Sequence, residues 1–171
     1  MDLQVLCGQA APDFALPDLD GILHRLRDFR GRITILNFWS AECPWVERSD
    51  RELNSQLTVW GETVVLLSIA SNVNEAVELL RRVSRERHLP QLLHDQHHLV
   101  AGLYGAQTTP HVFVIDRQGI LRYQGGYNDL TFRKRVPSRH YLTEAVEALL
   151  AGELPELEQT PPYGCSIVRF A

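Results

Sequence analysis

Apolar residues in this chain fall into three nearly unbroken runs separated by amphipathic stretches. Ile33-Thr34-Ile35-Leu36-Asn37-Phe38-Trp39 is apolar and β-branched almost throughout, the pattern of a strand covered on both faces in a parallel sheet. Residues 63–69 and 111–116 repeat it. Between the first two runs, Val46, Leu53 and Leu57 recur at helical spacing, and Pro44 stands where a first-turn residue needs no N–H. Ala76, Val77, Leu79, Leu80 and Val83 predict a second amphipathic helix over 74–86. Asp95 is suited to cap a short helix ending near Tyr104. Arg117-Gln118-Gly119 turns the third run into 120–124, a hairpin. Ser138 is read as the cap of a last helix over 141–151, which Gly152 ends. Near the start, Phe14-Ala15-Leu16 and Ile22-Leu23 flank Asp18-Leu19-Asp20-Gly21, so 13–26 reads as another hairpin.

Strand, helix, strand, helix, hairpin and helix make an α/β plan: a central mixed sheet flanked by helices, preceded by a β-hairpin. Residues 1–151 form the expected domain, and 152–171, rich in proline, an extended C-terminal tail. At 44% hydrophobic over 171 residues the chain can fill one core. A net charge of −4 without a long basic run argues against nucleic acid. No apolar run approaches the about 18 residues that span a bilayer, so no membrane partner is expected. Met1-Asp2-Leu3-Gln4 carries no basic region ahead of an apolar stretch, so no leader is expected and the cytoplasm is the default location. Cys7, Cys43 and Cys165 are odd in number and far apart, unlike a disulfide framework.

Cys43 follows the first buried strand and opens the first long helix. Chemistry in open α/β sheets collects at the carboxyl ends of strands. A helix start also offers unpaired N–H groups and the positive end of a dipole, both of which favour a thiolate. Position alone fits a nucleophile, and equally a small buried hydrophobe.

Three segments bear on that choice. Phe38-Trp39-Ser40-Ala41-Glu42-Cys43-Pro44-Trp45-Val46 resembles the active-site segment of thioredoxin-like proteins, which carry Cys-x-x-Cys at a strand–helix junction. Thr108-Thr109-Pro110-His111-Val112-Phe113-Val114-Ile115-Asp116 resembles their cis-proline strand. Ala11-Pro12-Asp13-Phe14-Ala15-Leu16 is similar to the opening of the alkyl hydroperoxide reductase/thiol-specific antioxidant (AhpC/TSA) redoxin family. Tyr104-Gly105-Ala106 and Gly164-Cys165-Ser166-Ile167 resemble segments of a peroxiredoxin-like subgroup. The resemblance covers almost the whole chain. It implies a thioredoxin-like fold and catalysis by Cys43 with Ser40, Thr109 and Pro110. The pattern departs from both parent families. Val46 stands where thioredoxins keep a second cysteine. Leu36 replaces the proline of the peroxiredoxin Pro-x-x-x-Thr/Ser-x-x-Cys motif, and Pro110 replaces the arginine over the thiolate. Glu42, beside Cys43, opposes a thiolate.

The expected activity is therefore thiol-dependent oxidoreduction by a single nucleophilic cysteine: a peroxiredoxin-like antioxidant or a thiol–disulfide oxidoreductase. Its substrate is a hydroperoxide or a protein disulfide, and thioredoxin or a low-molecular-weight thiol is the reductant. The alternative is a redox-inert peptide-binding module. Trp39, Pro44 and Trp45 surround Cys43, and two expectations stand for them, an apolar substrate platform or partly buried packing. With Val46 unable to resolve an oxidised Cys43, Cys165 is the internal candidate. The 14 residues from Ala151 reach about 46 Å when extended, enough within one chain or across a homodimer. The competing expectation packs the tail back on the domain through Ile167, Val168 and Phe170. His94, Asp95, His97 and His98 lack a convincing metal-ligand spacing, and neither metal nor cofactor is expected.

Overall fold

The computed structural model describes residues 5–170. The segment Met1–Gln4, on which the reading of a missing leader rests, lies outside them. A hairpin of β1 (Ala15–Pro17) and β2 (Leu23–Arg25) opens the fold. The buried runs then become β3 (Ile33–Trp39), followed by α1 (Pro44–Trp60), and β4 (Val64–Ala70), followed by α2 (Val77–Glu86). Helix α2 begins later than its periodicity suggests, with Ala76 in extended backbone as its cap. Short elements follow: β5 (Leu92–His94), α3 (Leu99–Tyr104) and β6 (Thr108–Thr109). Then come β7 (His111–Ile115), β8 (Leu121–Gly125), α4 (Tyr141–Leu150) and β9 (Cys165–Ser166).

The central sheet has the order β5-β4-β3-β7-β8. Strand β3 pairs parallel with β4 and antiparallel with β7, so all seven of its residues are buried. This is the mixed, thioredoxin-like α/β arrangement expected from the sequence. Leu36, Phe38, Leu67, Ile69 and Phe113 face α3 and the N-terminal hairpin. Ile33, Ile35, Leu66, Val112 and Val114 face α1 and α4. A third cluster gathers Trp39, Cys43, Val46, Ala70, Leu80 and Val83 where α1 and α2 meet the carboxyl ends of β3 and β4.

His98, not Asp95, holds the N-cap position of α3, but the Asp95 carboxylate still accepts from its first turn, from Val100 N (3.2 Å) and Ala101 N (2.9 Å). Ser138 does not cap α4. His140 holds that position, and Ser138 bonds Asp129 instead. The tail is extended and laid against the domain. Thr160 docks on β8, where Gly125 and Gly126 leave room for it; a Cβ on Gly125 would lie 2.2 Å from Thr160 O. The last residues then pass over the carboxyl end of the sheet, and β9 pairs with β6.

Candidate active site

Strand β3 delivers Trp39 to the end of the sheet, and Ser40-Ala41-Glu42 turns the chain into α1. Cys43 is the helix N-cap, with Pro44 in the first turn. Its side chain makes no capping bond. The Sγ instead donates to Thr109 O at 3.1 Å, and only 2% of the residue is exposed. Thr109 and Pro110 are buried, and the peptide bond between them is cis. Cys43, Thr109 and Pro110 thus meet in space although they are distant in sequence.

Ser40 is drawn elsewhere. Its Oγ donates to Glu75 Oε2 (3.1 Å), and Glu42 N donates to the same oxygen (3.1 Å). Asn72 Nδ2 donates to the other oxygen, Glu75 Oε1 (3.1 Å). The buried Glu75 carboxylate therefore pins the turn preceding Cys43. No motif marks Glu75. The available hint is its place in the loop after a parallel strand, at the carboxyl end of the sheet. A second support was also invisible in the sequence. Asp50 Oδ2 accepts from Trp39 Nε1 (2.9 Å) and Arg87 Nη1 (3.1 Å), while Arg87 Nη2 donates to Ala41 O (2.8 Å). Burial pushes the Asp50 carboxyl above its ordinary range, against the opposing pull of Trp39 and Arg87.

The expected platform needs correction at one position. Trp39 is fully buried, its indole held by Asp50 and covered by the Arg87 guanidinium 5.6 Å from the ring. A substrate cannot reach its face. Pro44 is exposed and Trp45 half-buried. Trp45 already has a neighbour, the ring of Tyr163 from the tail, edge-on with centroids 5.1 Å apart.

Val46 is fully buried beneath the site. The second thiol arrives from the other direction. Strand β9 sets Cys165 opposite Thr109, the residue whose carbonyl holds Cys43. Cys165 packs against the cluster containing Cys43, Trp39 and Val46. Both cysteines are free thiols. Burial pushes the Cys165 thiol up to about 12, and the neighbouring Cys43 and Glu75 act in the same direction. Cys7 is placed differently: it donates to Glu158 O (3.2 Å), and burial raises it to about 11. His111, next to Pro110, is held neutral, its value lowered to about 4 by burial.

Among the described residues no group of three His, Cys, Asp or Glu side chains is arranged to hold a metal. Asp95, in the histidine-rich stretch, is engaged by Ser71 and the start of α3. No helix among the described residues is long and apolar enough to cross a membrane.

Comparison with known proteins adds three findings. The model of the AhpC/TSA family matches residues 7–124. The thiol-disulfide oxidoreductase ResA of Geobacillus thermodenitrificans is 34% identical over 116 residues, covering 67% of this chain and 66% of that protein. The thiol:disulfide interchange protein DsbE of Vibrio cholerae is 31% identical over 127 residues, covering 70% of this chain and 65% of that protein. The chain thus spans just under two thirds of the length of these curated relatives. Among solved structures, a hypothetical protein of Sinorhizobium meliloti superposes with a TM-score of 0.86 at 28% identity, covering 98% of this chain and 96% of that one.

Proposed function

This chain belongs to the AhpC/TSA family, and from that premise we propose that it is a thiol–disulfide oxidoreductase whose redox pair is Cys43 and Cys165. The observation that carries the reading is the β6–β9 register, which sets Cys165 opposite Thr109 and against Cys43. In the reaction, the Cys43 thiolate attacks one sulfur of a substrate disulfide. A mixed disulfide forms, and the other substrate sulfur leaves as a thiolate and takes up a proton. Cys165, deprotonated, then attacks Sγ of Cys43. The substrate's remaining sulfur leaves, and the protein holds a Cys43–Cys165 disulfide. The substrate disulfide has gained two electrons, and the two protein thiols have lost them. A thioredoxin or a small thiol restores the dithiol by the reverse exchange.

Ser40, the hydroxyl suited to assist a hydroperoxide, is committed to Glu75, which favours disulfide over peroxide chemistry. Glu75, Asp50 and Arg87 act as positioning residues, holding the turn before Cys43.

The test is non-reducing peptide mapping after one equivalent of a small disulfide. The expected product is a Cys43–Cys165 cross-link, with Cys165→Ser trapping the small thiol on Cys43. Trapping on Cys7 with Cys43 unmodified would overturn the assignment.

A further inference from the structure

The reduced site is closed by its own tail. Along β6, Thr108 pairs with Ser166 and Thr109 with Cys165, and Ile167 N donates to Gln107 O (3.1 Å). These are the backbone bonds that an added strand makes with a sheet edge. Each neighbouring tail residue meets a fitted surface. Gly164 lies against Thr109, where a Cβ would come 2.1 Å from the carbonyl oxygen and 3.1 Å from Pro110 Cδ. Tyr163 covers Trp45 edge-on. Ile167 is buried with the residues on the α3 face of the sheet. Beyond it the strand is clipped: Val168 N donates to Asn72 Oδ1 (2.7 Å), and Val73 N donates to Val168 O (2.9 Å). Asn72 also donates to Glu75, so the clip adjoins the carboxylate that pins the Cys43 turn.

Nothing can approach Cys43 along β6 while residues 163–168 are in place. We infer that this segment is a built-in stand-in for the partner: an extended polypeptide carrying a disulfide-bonded cysteine binds by replacing it along β6. The stand-in also defines the preferred partner sequence. An aromatic residue sits two positions before the cysteine, against Trp45. Glycine precedes the cysteine directly, beneath Thr109. An aliphatic residue lies two positions after it and is buried. The inference rests on the reading of Cys43 as the attacking thiol. It adds that the tail leaves for the first exchange and returns for the second, so that partner and Cys165 occupy one place in turn.

The experiment uses the full chain and a synthetic peptide, Pro-Tyr-Gly-Cys-Ser-Ile-Val, activated at its cysteine as a thionitrobenzoate mixed disulfide. A second peptide has valine in place of glycine. The readout is the rate of peptide transfer onto Cys43. Gly164→Ala lifts the tail by the clash with Thr109, and is expected to speed transfer from the glycine peptide about tenfold by removing a tethered competitor. Ile167→Ala, which removes the tail's buried anchor, should act in the same direction and carries the comparison should Gly164→Ala not fold. In both variants the glycine peptide should outrun the valine peptide about tenfold, since the overpacking beneath Thr109 is transferred to the peptide. Equal rates for the two peptides, or unchanged rates in folded variants, would overturn the inference even with a Cys43–Cys165 disulfide forming normally. Failure of that disulfide to form with a small reagent would instead count against the proposed redox pair.

Discussion

In the proposed exchange, Cys165 starts from an unfavourable resting state. With its thiol near 12, it is protonated at neutral pH, and a thiol must lose its proton to attack. Burial is the largest cause and persists in the mixed disulfide, while the contribution of the neighbouring Cys43 ends once its Sγ is bonded to a substrate sulfur. A rate set by the thiolate fraction grows about tenfold for each pH unit below the thiol's pKa. Stopped-flow measurement of the second exchange step should therefore show a steep rise between about pH 7 and pH 9, while a flat profile would mean that another group or a tail motion limits it. Trp39 illustrates why side-chain roles were harder to read than positions. Its place beside Cys43 was evident from the sequence, but its burial and its bond to Asp50 depend on a helix residue eleven positions away, which no local pattern specifies.

At the scale of elements, the long pieces were legible because their patterns are local. Strand β3 matches its expected bounds and helix α1 starts at the expected Pro44, since an unbroken β-branched run and a proline-led amphipathic stretch each have one good solution. The short pieces were not. Strands β5, β6 and β9 have three, two and two residues, and their pairing comes from the tertiary fold rather than from periodicity. Of the candidate site, Cys43, Thr109 and Pro110 were legible through motif resemblance, and Cys165 through chain reach. The supports Glu75 and Arg87 were not, because each joins residues more than thirty positions apart. Arg87 offers a clear test of these supports. Its side chain is 16% exposed and that of Asp50 2%, so Arg87→Leu leaves a buried carboxylate without its charged partner. Loss of one member of a buried pair costs about 3–5 kcal/mol, measurable by denaturant unfolding. Slower alkylation or exchange at Cys43 should accompany it, because Ala41 O loses its anchor. A variant that unfolds like the parent would show the pair to be dispensable.

For the whole molecule, the tail joins packing to chemistry. The sequence allowed two fates for it, packing on the domain or reaching Cys43; the tail packs on the domain, with Cys165 against the cluster that contains Cys43. Thr160 and Ile167 are buried anchors on either side of Cys165, so ordering the tail for stability also sets the second thiol in place. Because the loop closed by the pair is long, closure entropy grows only with its logarithm, and the anchors offset that cost locally. The central claim is that Cys43 and Cys165 act as one dithiol. Its most direct measurement is the release of thionitrobenzoate when the Cys7→Ser protein meets excess Ellman's reagent in a stopped-flow instrument. The account predicts two released equivalents, the second in a phase independent of reagent concentration, leaving a Cys43–Cys165 disulfide and no bound aromatic thiol. Two equivalents both released in reagent-dependent phases, with an aromatic thiol left on each cysteine, would contradict it.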